Sequence, residues 1–244
     1  MRRRFFVERF DANRATVHGE TAEHLGRVLR AKAGQLFELS DGNEVWLAQT
    51  EKVGRSEVEF SLVERVPARE PGPAIVLWLA IVKFDRFEWA IEKATELGVN
   101  AIVPLAAARS ETALVAASEK RAARWKKILR ESAQQARRVR VPELLPAAGL
   151  AEVIAMDRSE VRILLSERES ALPLRDVLRT IQQAGRDDIV ASAALAIGPE
   201  GGWTDAEFDA ARAAGLAEAS LGENILRTET AVCAALASLR FALG

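Results

Sequence analysis

The sequence of 244 residues holds one cysteine and two histidines. Cys233 has no second cysteine to pair with, and His18 and His24 stand far from it without a zinc-ligand spacing. An internal disulfide and a zinc site are therefore excluded as its scaffold, and a reducing, cytoplasmic setting is the simplest expectation. A surplus of one charge is missing too: 34 Lys and Arg face 35 Asp and Glu, which excludes a bulk polyanion binder and leaves only local patches for nucleic acid. Long apolar runs are absent. The longest, residues 74–82, is less than half a membrane span and ends at Lys83. The opening MRRRFFVERF has the charge of a signal peptide, but Glu8 and Arg9 cut its apolar stretch at once, so neither export nor a membrane partner is expected.

With 49% apolar residues, the chain can bury one or two ordinary cores. Up to about residue 70 the pattern is strand-like. FFVERF, LFELSDGNEVWLAQTEKV and SEVEFSLVERV alternate apolar and polar residues around an Asp41-Gly42 turn, and one helix over 21–30 interrupts them. Six short strands and a helix predict a small barrel or sandwich, ended by the linker PAREPGP at 67–73.

Beyond the linker the period changes. AIVLWLAIV is the continuous apolar run of a parallel strand buried on both faces. A helix follows, with Asp85 and Glu88 as its expected capping pair and Gly98 at its end, and then the strand AIVPL. The alternation repeats with a helix over 118–138, a strand at 161–166, a helix over 174–184 and a strand at 194–198. A helix opened by a Thr204–Glu207 capping box, the short strand EASL and a last helix over 229–241 complete it. The expectation is an α/β domain over 74–244 with a mostly parallel sheet, after a small β domain over 1–70.

In an open parallel sheet the ligand site lies at the carboxyl ends of the strands. Three loops take that position here: SERES, GPEGGW and GENILRTETA. Phosphate is the first idea for a glycine-rich turn before a helix, but GxGxxG and GxxxxGK[ST] are both absent, and Glu200 would set a negative charge beside it. Taken alone, such a turn is more often a plain β–α connection than a site. In LGENILRTETA the threonines can be explained as helix caps, whereas apolar Ile225 and Leu226, with Arg227, have no such reason to stand in a loop.

IGPEGGWTDAEF (197–208) followed by LGENILRTETA (221–231) resembles the RNA methyltransferases of the SPOUT superfamily, and in particular the bacterial 16S rRNA uridine-N3 methyltransferase family. RRFFVERF at the start, HLGRVLRAKAG (24–34), EWAIEKATELGV (88–99) and KRAARWKKILRESAQQARRVRVPEL (120–144) extend the resemblance over nearly the whole chain. It implies an N-terminal PUA-like β-barrel that holds RNA. It also implies a C-terminal α/β domain with a trefoil knot, binding S-adenosylmethionine in a homodimer. The implied partner is 16S rRNA within the small ribosomal subunit, not DNA.

A donor with an adenine ring, a sulfonium and no phosphate calls for backbone contacts and apolar walls. The resemblance assigns these to Ile197, Gly198, Pro199, Gly201 and Gly202 in one loop. Leu221, Gly222, Asn224, Ile225, Leu226, Arg227, Thr228, Thr230 and Ala231 serve in the second, and Leu165, Ser166 and Glu167 form the remaining wall. Ser166 departs from the residue usual in the family. Methylation at uridine N3 must remove the imide proton and stabilise charge developing on O2 and O4. Arg227 is the candidate oxyanion partner and Glu200 the candidate base, with a solvated loop carboxylate as its bland alternative and water or a substrate phosphate as other acceptors.

The target base must be unstacked, so distant contacts must hold the RNA. Residues 118–140 carry nine Lys or Arg against two Glu, and Arg137, Arg138 and Arg140 are nearest the helix end. Arg2, Arg3, Arg4, Arg27, Arg30 and Lys32 are the candidates on the β domain. Arg109 completes the RNA set, beside Ala108 where the family has an acidic residue; Phe84 likewise stands where a glycine is common. Trp46, Trp78 and Trp89 suit core positions. Two other readings stay open: an RNA-binding assembly factor without chemistry, and a methyltransferase for another RNA or for ribose.

Overall fold

The computed structural model describes residues 3–67, 72–184 and 190–243. The chain divides into two units, one of Met1–Glu70 with Ala133–Val141 and one of Pro71–Ser132 with Pro142–Gly244. Among the described residues no helix is long and apolar enough to cross a membrane.

The first unit is one five-stranded sheet built from β1 (Arg4–Phe6), β2 (Arg14–His18), β3 (Leu36–Ser40), β4 (Val45–Val53) and β5 (Glu57–Val66), in the order β1-β3-β4-β5-β2. Among the described residues five strands form where six were expected, and β1 and β2 stand at opposite ends of the order. The alternating pattern of β2 and β5 puts Ala15, Val17, Val58, Phe60 and Leu62 inside. Phe37 is the hub of that core, meeting Phe5 and Phe60 edge-on at centroid distances of 5.7 and 6.2 Å. The expected helix over 21–30 is a short α1 (Gly19–Glu23) running into a π turn (His24–Val28).

Residues 133–141 belong to this unit because their contacts do. Ser40 Oγ donates to the Val139 carbonyl at 2.7 Å. Arg4 donates to the Arg137 carbonyl, and Arg4 and Arg137 both pair with the buried Glu38 carboxylate.

The second unit is a seven-stranded, wholly parallel sheet in the order β10-β12-β9-β11-β6-β7-β8. Its strands are β6 (Ala74–Ala80), β7 (Ala101–Leu105), β8 (Glu143–Leu144), β9 (Val161–Leu165), β10 (Leu172–Pro173), β11 (Ser192–Ile197) and β12 (Ala217–Ser220). Its helices are α2 (Phe84–Glu96), α3 (Thr112–Gln135), α4 (Leu150–Met156), α5 (Leu174–Ala184), α6 (Asp205–Ala213) and α7 (Thr228–Leu243). The chain lays β6, β7 and β8 outward to one side, returns to β9 beyond β6, and fills the gap with β11. That reversal is the switch point at which open sheets hold ligands.

Four local expectations change. Asp85 does not cap α2: Lys83 is its N-cap, without a side-chain bond, and Asp85 sits in the first turn. Glu88 instead receives the Arg124 guanidinium at 2.8 Å, which fastens α3 to α2. Phe84, the departure from glycine, starts α2 and packs edge-on against Trp125 at 5.9 Å. The third change concerns α3, which begins at Thr112, ahead of the expected 118, and ends at Gln135, where Arg137 takes a left-handed φ of 55°. Trp78 is fully buried and Trp46 partly so, but Trp89 is 44% exposed, because α2 buries the face carrying Phe87, Ala90, Ile91 and Ala94. The Thr204–Glu207 capping box forms as expected.

Candidate functional site

The three loops after β9, β11 and β12 open at the same edge of the parallel sheet and line one cavity of about 590 Å³. The loop after β11 is shaped by a tight turn in which Gly202 N donates to the Pro199 carbonyl at 2.8 Å, with φ of 70° at Gly202. Trp203 closes it inward: its indole Nε1 donates to the Leu165 carbonyl at 2.8 Å, so the end of β9 and this loop are fixed together. A Cβ on Gly198 would meet that indole ring at 3.0 Å, which is why glycine stands there.

Arginines secure the rim. Arg109 Nη1 donates to the Gly201 carbonyl at 2.8 Å. Glu207 Oε1 accepts the Ala108 backbone N–H at 2.8 Å while its other oxygen serves the α6 cap, so Arg109 is oriented without the acidic neighbour usual in the family. Arg168 stacks its guanidinium 3.6 Å from the Phe208 ring centre and pairs with Asp205. Arg86, in the first turn of α2, pairs with Glu200. Ser166 is buried, donates to Glu218 Oε1 at 2.6 Å and accepts the Arg168 backbone N–H at 3.1 Å, so it braces the wall through its hydroxyl.

The loop after β12 behaves differently. Ile225 lines the cavity yet is 79% exposed, an apolar side chain facing open space, and Leu226 beside it is half-buried. Thr228 is buried and its hydroxyl reaches the Gly198 carbonyl at 3.4 Å, linking the two loops where α7 starts. Arg227 lines the same cavity, exposed, and among the described residues no group holds its guanidinium.

The structure therefore brings together Glu200, Arg227 and every proposed donor residue except Thr230, which is exposed and outside the cavity lining. Sequence reasoning missed Arg168, Trp203, Asp205, Phe208, Ser220 and Glu223 among the lining residues, and Arg86 behind Glu200. Trp203 had a signal, since an aromatic directly after a glycine turn has a cavity to fill; the others sit on helices, in loops or, for Ser220, at the end of β12, and gave none.

The proposed RNA residues are dispersed. Arg2 lies outside the described residues; Arg3, Arg27, Arg30 and Lys32 are exposed on the first unit. Arg4 is a correction: it is buried and held by Glu38, so it is no surface contact. Arg137 is tied to the same carboxylate, Arg140 donates to Asn43 Oδ1 at 2.8 Å, and Arg138 is half-buried. Burial raises the Glu38 proton affinity, but the hydrogen bonds and charges of Arg137 and Arg4 outweigh it and hold the carboxyl below its ordinary value. Arg109 belongs to the cavity.

A parallel sheet with a switch-point cavity of this kind defines a class, and the family comparison agrees. The sequence model of the RNA methyltransferase domain matches residues 69–240, so this chain belongs to that family, and the model of the RNA methyltransferase PUA domain matches residues 17–63. Among particular relatives, the ribosomal RNA small subunit methyltransferase E of Synechocystis sp. is 34% identical over 232 residues, covering 92% of this chain and 73% of its own length. The fold superposes with a TM-score of 0.86 on the Neisseria gonorrhoeae enzyme of the same name bound to S-adenosyl methionine, 28% identical and covering 99% of this chain and 98% of that one. It superposes with a TM-score of 0.84 on a Legionella pneumophila structure in complex with bound cofactor SAM, 27% identical over 99% and 98% of the two chains.

Proposed function

We propose that this chain transfers the methyl group of S-adenosylmethionine to N3 of a uridine in the 16S rRNA of the small ribosomal subunit. Residues 1–70 serve as a PUA-like barrel holding RNA and 74–244 as a SPOUT-type methyltransferase domain. The observation that carries this reading is the shared cavity of the three loops, with an arginine at its edge that no group among the described residues holds and an exposed apolar wall beside it.

The residues present fit the donor. Ile225 and Leu226 offer apolar surface to a flat ring, Gly198, Gly201 and Gly202 line the same cavity, Gly222 has open space where a Cβ would stand, and among the described residues no phosphate cradle competes. The bound donor supplies an electrophilic methyl on a sulfonium. The chain's residues do the rest. Arg227 places its guanidinium against a uracil carbonyl, where negative charge grows as the imide proton leaves. Glu200, among the residues lining the cavity, accepts that proton. The carbon–sulfur bond then breaks as the nitrogen–carbon bond forms, the electron pair staying on a neutral thioether. Loops 198–203 and 221–227 sharing one wall, with β11 inserted between β6 and β9, suit a trefoil knot, and the proposed working unit is a homodimer.

The test is transfer of radiolabelled methyl from S-adenosylmethionine to small subunits lacking this modification, with mass spectrometry of the product nucleoside. Appearance of 3-methyluridine is the expected result. Donor binding without transfer would reject this substrate, and neither binding nor transfer would reject the enzyme reading.

A further inference from the structure

The loop after β11 is held in four places by its backbone and its indole: the Gly202 to Pro199 turn, the Arg109 bond to the Gly201 carbonyl, the Thr228 bond to the Gly198 carbonyl and the Trp203 bond to Leu165. None of these fixes the side chain of Glu200, which projects from the turn and is 46% exposed. An unrestrained glutamate in such a place samples several rotamers, and a group that must meet one proton loses rate for each wrong one. Its single described partner is Arg86, from the first turn of α2, which takes Oε1 through Nη1. The other oxygen, Oε2, receives no described protein donor.

We propose that Arg86 is a positioning residue for Glu200, pinning one carboxylate oxygen at the cavity rim so that the other stays turned toward the acceptor base. The inference rests on the reading of the cavity as a methyl-transfer site, and deepens it by giving a role to a residue outside the cavity lining. The arrangement suits placement better than stability, because a pair this exposed contributes little to the fold. It also suits an arginine, whose planar guanidinium fixes direction as well as charge, as lysine does not.

The test is a double-mutant cycle in the full chain with Arg86→Gln, Glu200→Gln and the two combined, plus Arg86→Lys. For each, kcat and KM for methyl transfer to unmodified small subunits are measured, with donor Kd by calorimetry and the thermal midpoint. Arg86→Gln should lower kcat about tenfold, with donor Kd changed less than about threefold, since misplacement of a reacting group acts on the chemical step. In the Glu200→Gln background the same change should cost nothing further, and Arg86→Lys should recover part of the rate. Multiplying losses, or a loss confined to KM, would show that Arg86 acts on its own account, for instance on an RNA phosphate, and would overturn the proposal. So would an unchanged kcat in both single variants. Should Arg86→Gln not fold, Arg86→Lys closes the same cycle. A wild type that transfers no methyl would sink the site reading and this inference together, whereas an active wild type with independent variants sinks the inference alone.

Discussion

In the first unit Arg4 and Arg137 both reach Glu38, whereas at the cavity of the second unit Arg227 reaches no protein group among the described residues. The difference follows from burial. Arg4 and Glu38 are 7% and 4% exposed, and charges taken out of water persist only when paired. Arg227 stays in water, keeps its hydration and can exchange it for a substrate carbonyl. Identical side chains thus carry structure in one place and stay available for the proposed chemistry in the other, and the count of basic residues along the chain does not tell the two apart.

The most severe way to break the first half of this comparison is Glu38→Ala. It strands Arg4 in the interior, and loss of one partner of a buried pair costs roughly 3–5 kcal/mol, read as a lower urea midpoint. A depressed carboxyl contributes stability that is complete above its ordinary value of 4.5 and is lost as pH falls through its folded value. Wild-type stability should therefore decline below about pH 4.5, and the acid slope should be shallower in Glu38→Gln. An unchanged slope would remove the carboxylate from the account.

The second half is tested by Arg227→Ala, which should lower kcat for methyl transfer roughly 100- to 1,000-fold, the scale on which one transition-state donor acts, while the thermal midpoint and donor Kd hold. A fully active variant would take Arg227 out of the chemistry. Gly198→Ala comes next in size. Its methyl would press on the Trp203 indole at 3.0 Å, and overpacking of about 1–3 kcal/mol should loosen the loop and weaken donor binding by an order of magnitude or so, as calorimetry would register.

Legibility in the sequence follows the same division. Strands β6, β7, β9 and β11 were visible because burial on both faces demands unbroken apolar runs, and the α6 cap because it is a local hydrogen-bond pattern. The cavity loops were visible through their glycines and through Ile225 and Leu226, whose apolar character had no local reason. What was hidden depends on contacts far apart in sequence. Ala133–Val141 joins the first unit through Ser40, Glu38 and Arg4, about a hundred residues or more upstream, and nothing in 133–141 announces those partners. Trp89 looked like core by its type alone, and only the face of α2 decides that it is exposed.

The smallest expected effect sharpens the comparison within the first unit itself. Lys32 and Arg30 are exposed, with no ion pair described for either, while Arg137 already gives its guanidinium to Glu38. If the exposed residues touch phosphate, Lys32→Gln or Arg30→Gln should each reduce the slope of log binding constant against log salt by about 0.7–0.9, the release of one counterion, and weaken RNA binding alike across sequences. Arg137→Gln should lower the unfolding midpoint and leave that slope in place, because its charge is already spent inside the fold. A slope that falls as far for Arg137 as for Lys32 would mean that the ion pair opens to RNA, and the line between structural and available arginines would have to be drawn elsewhere.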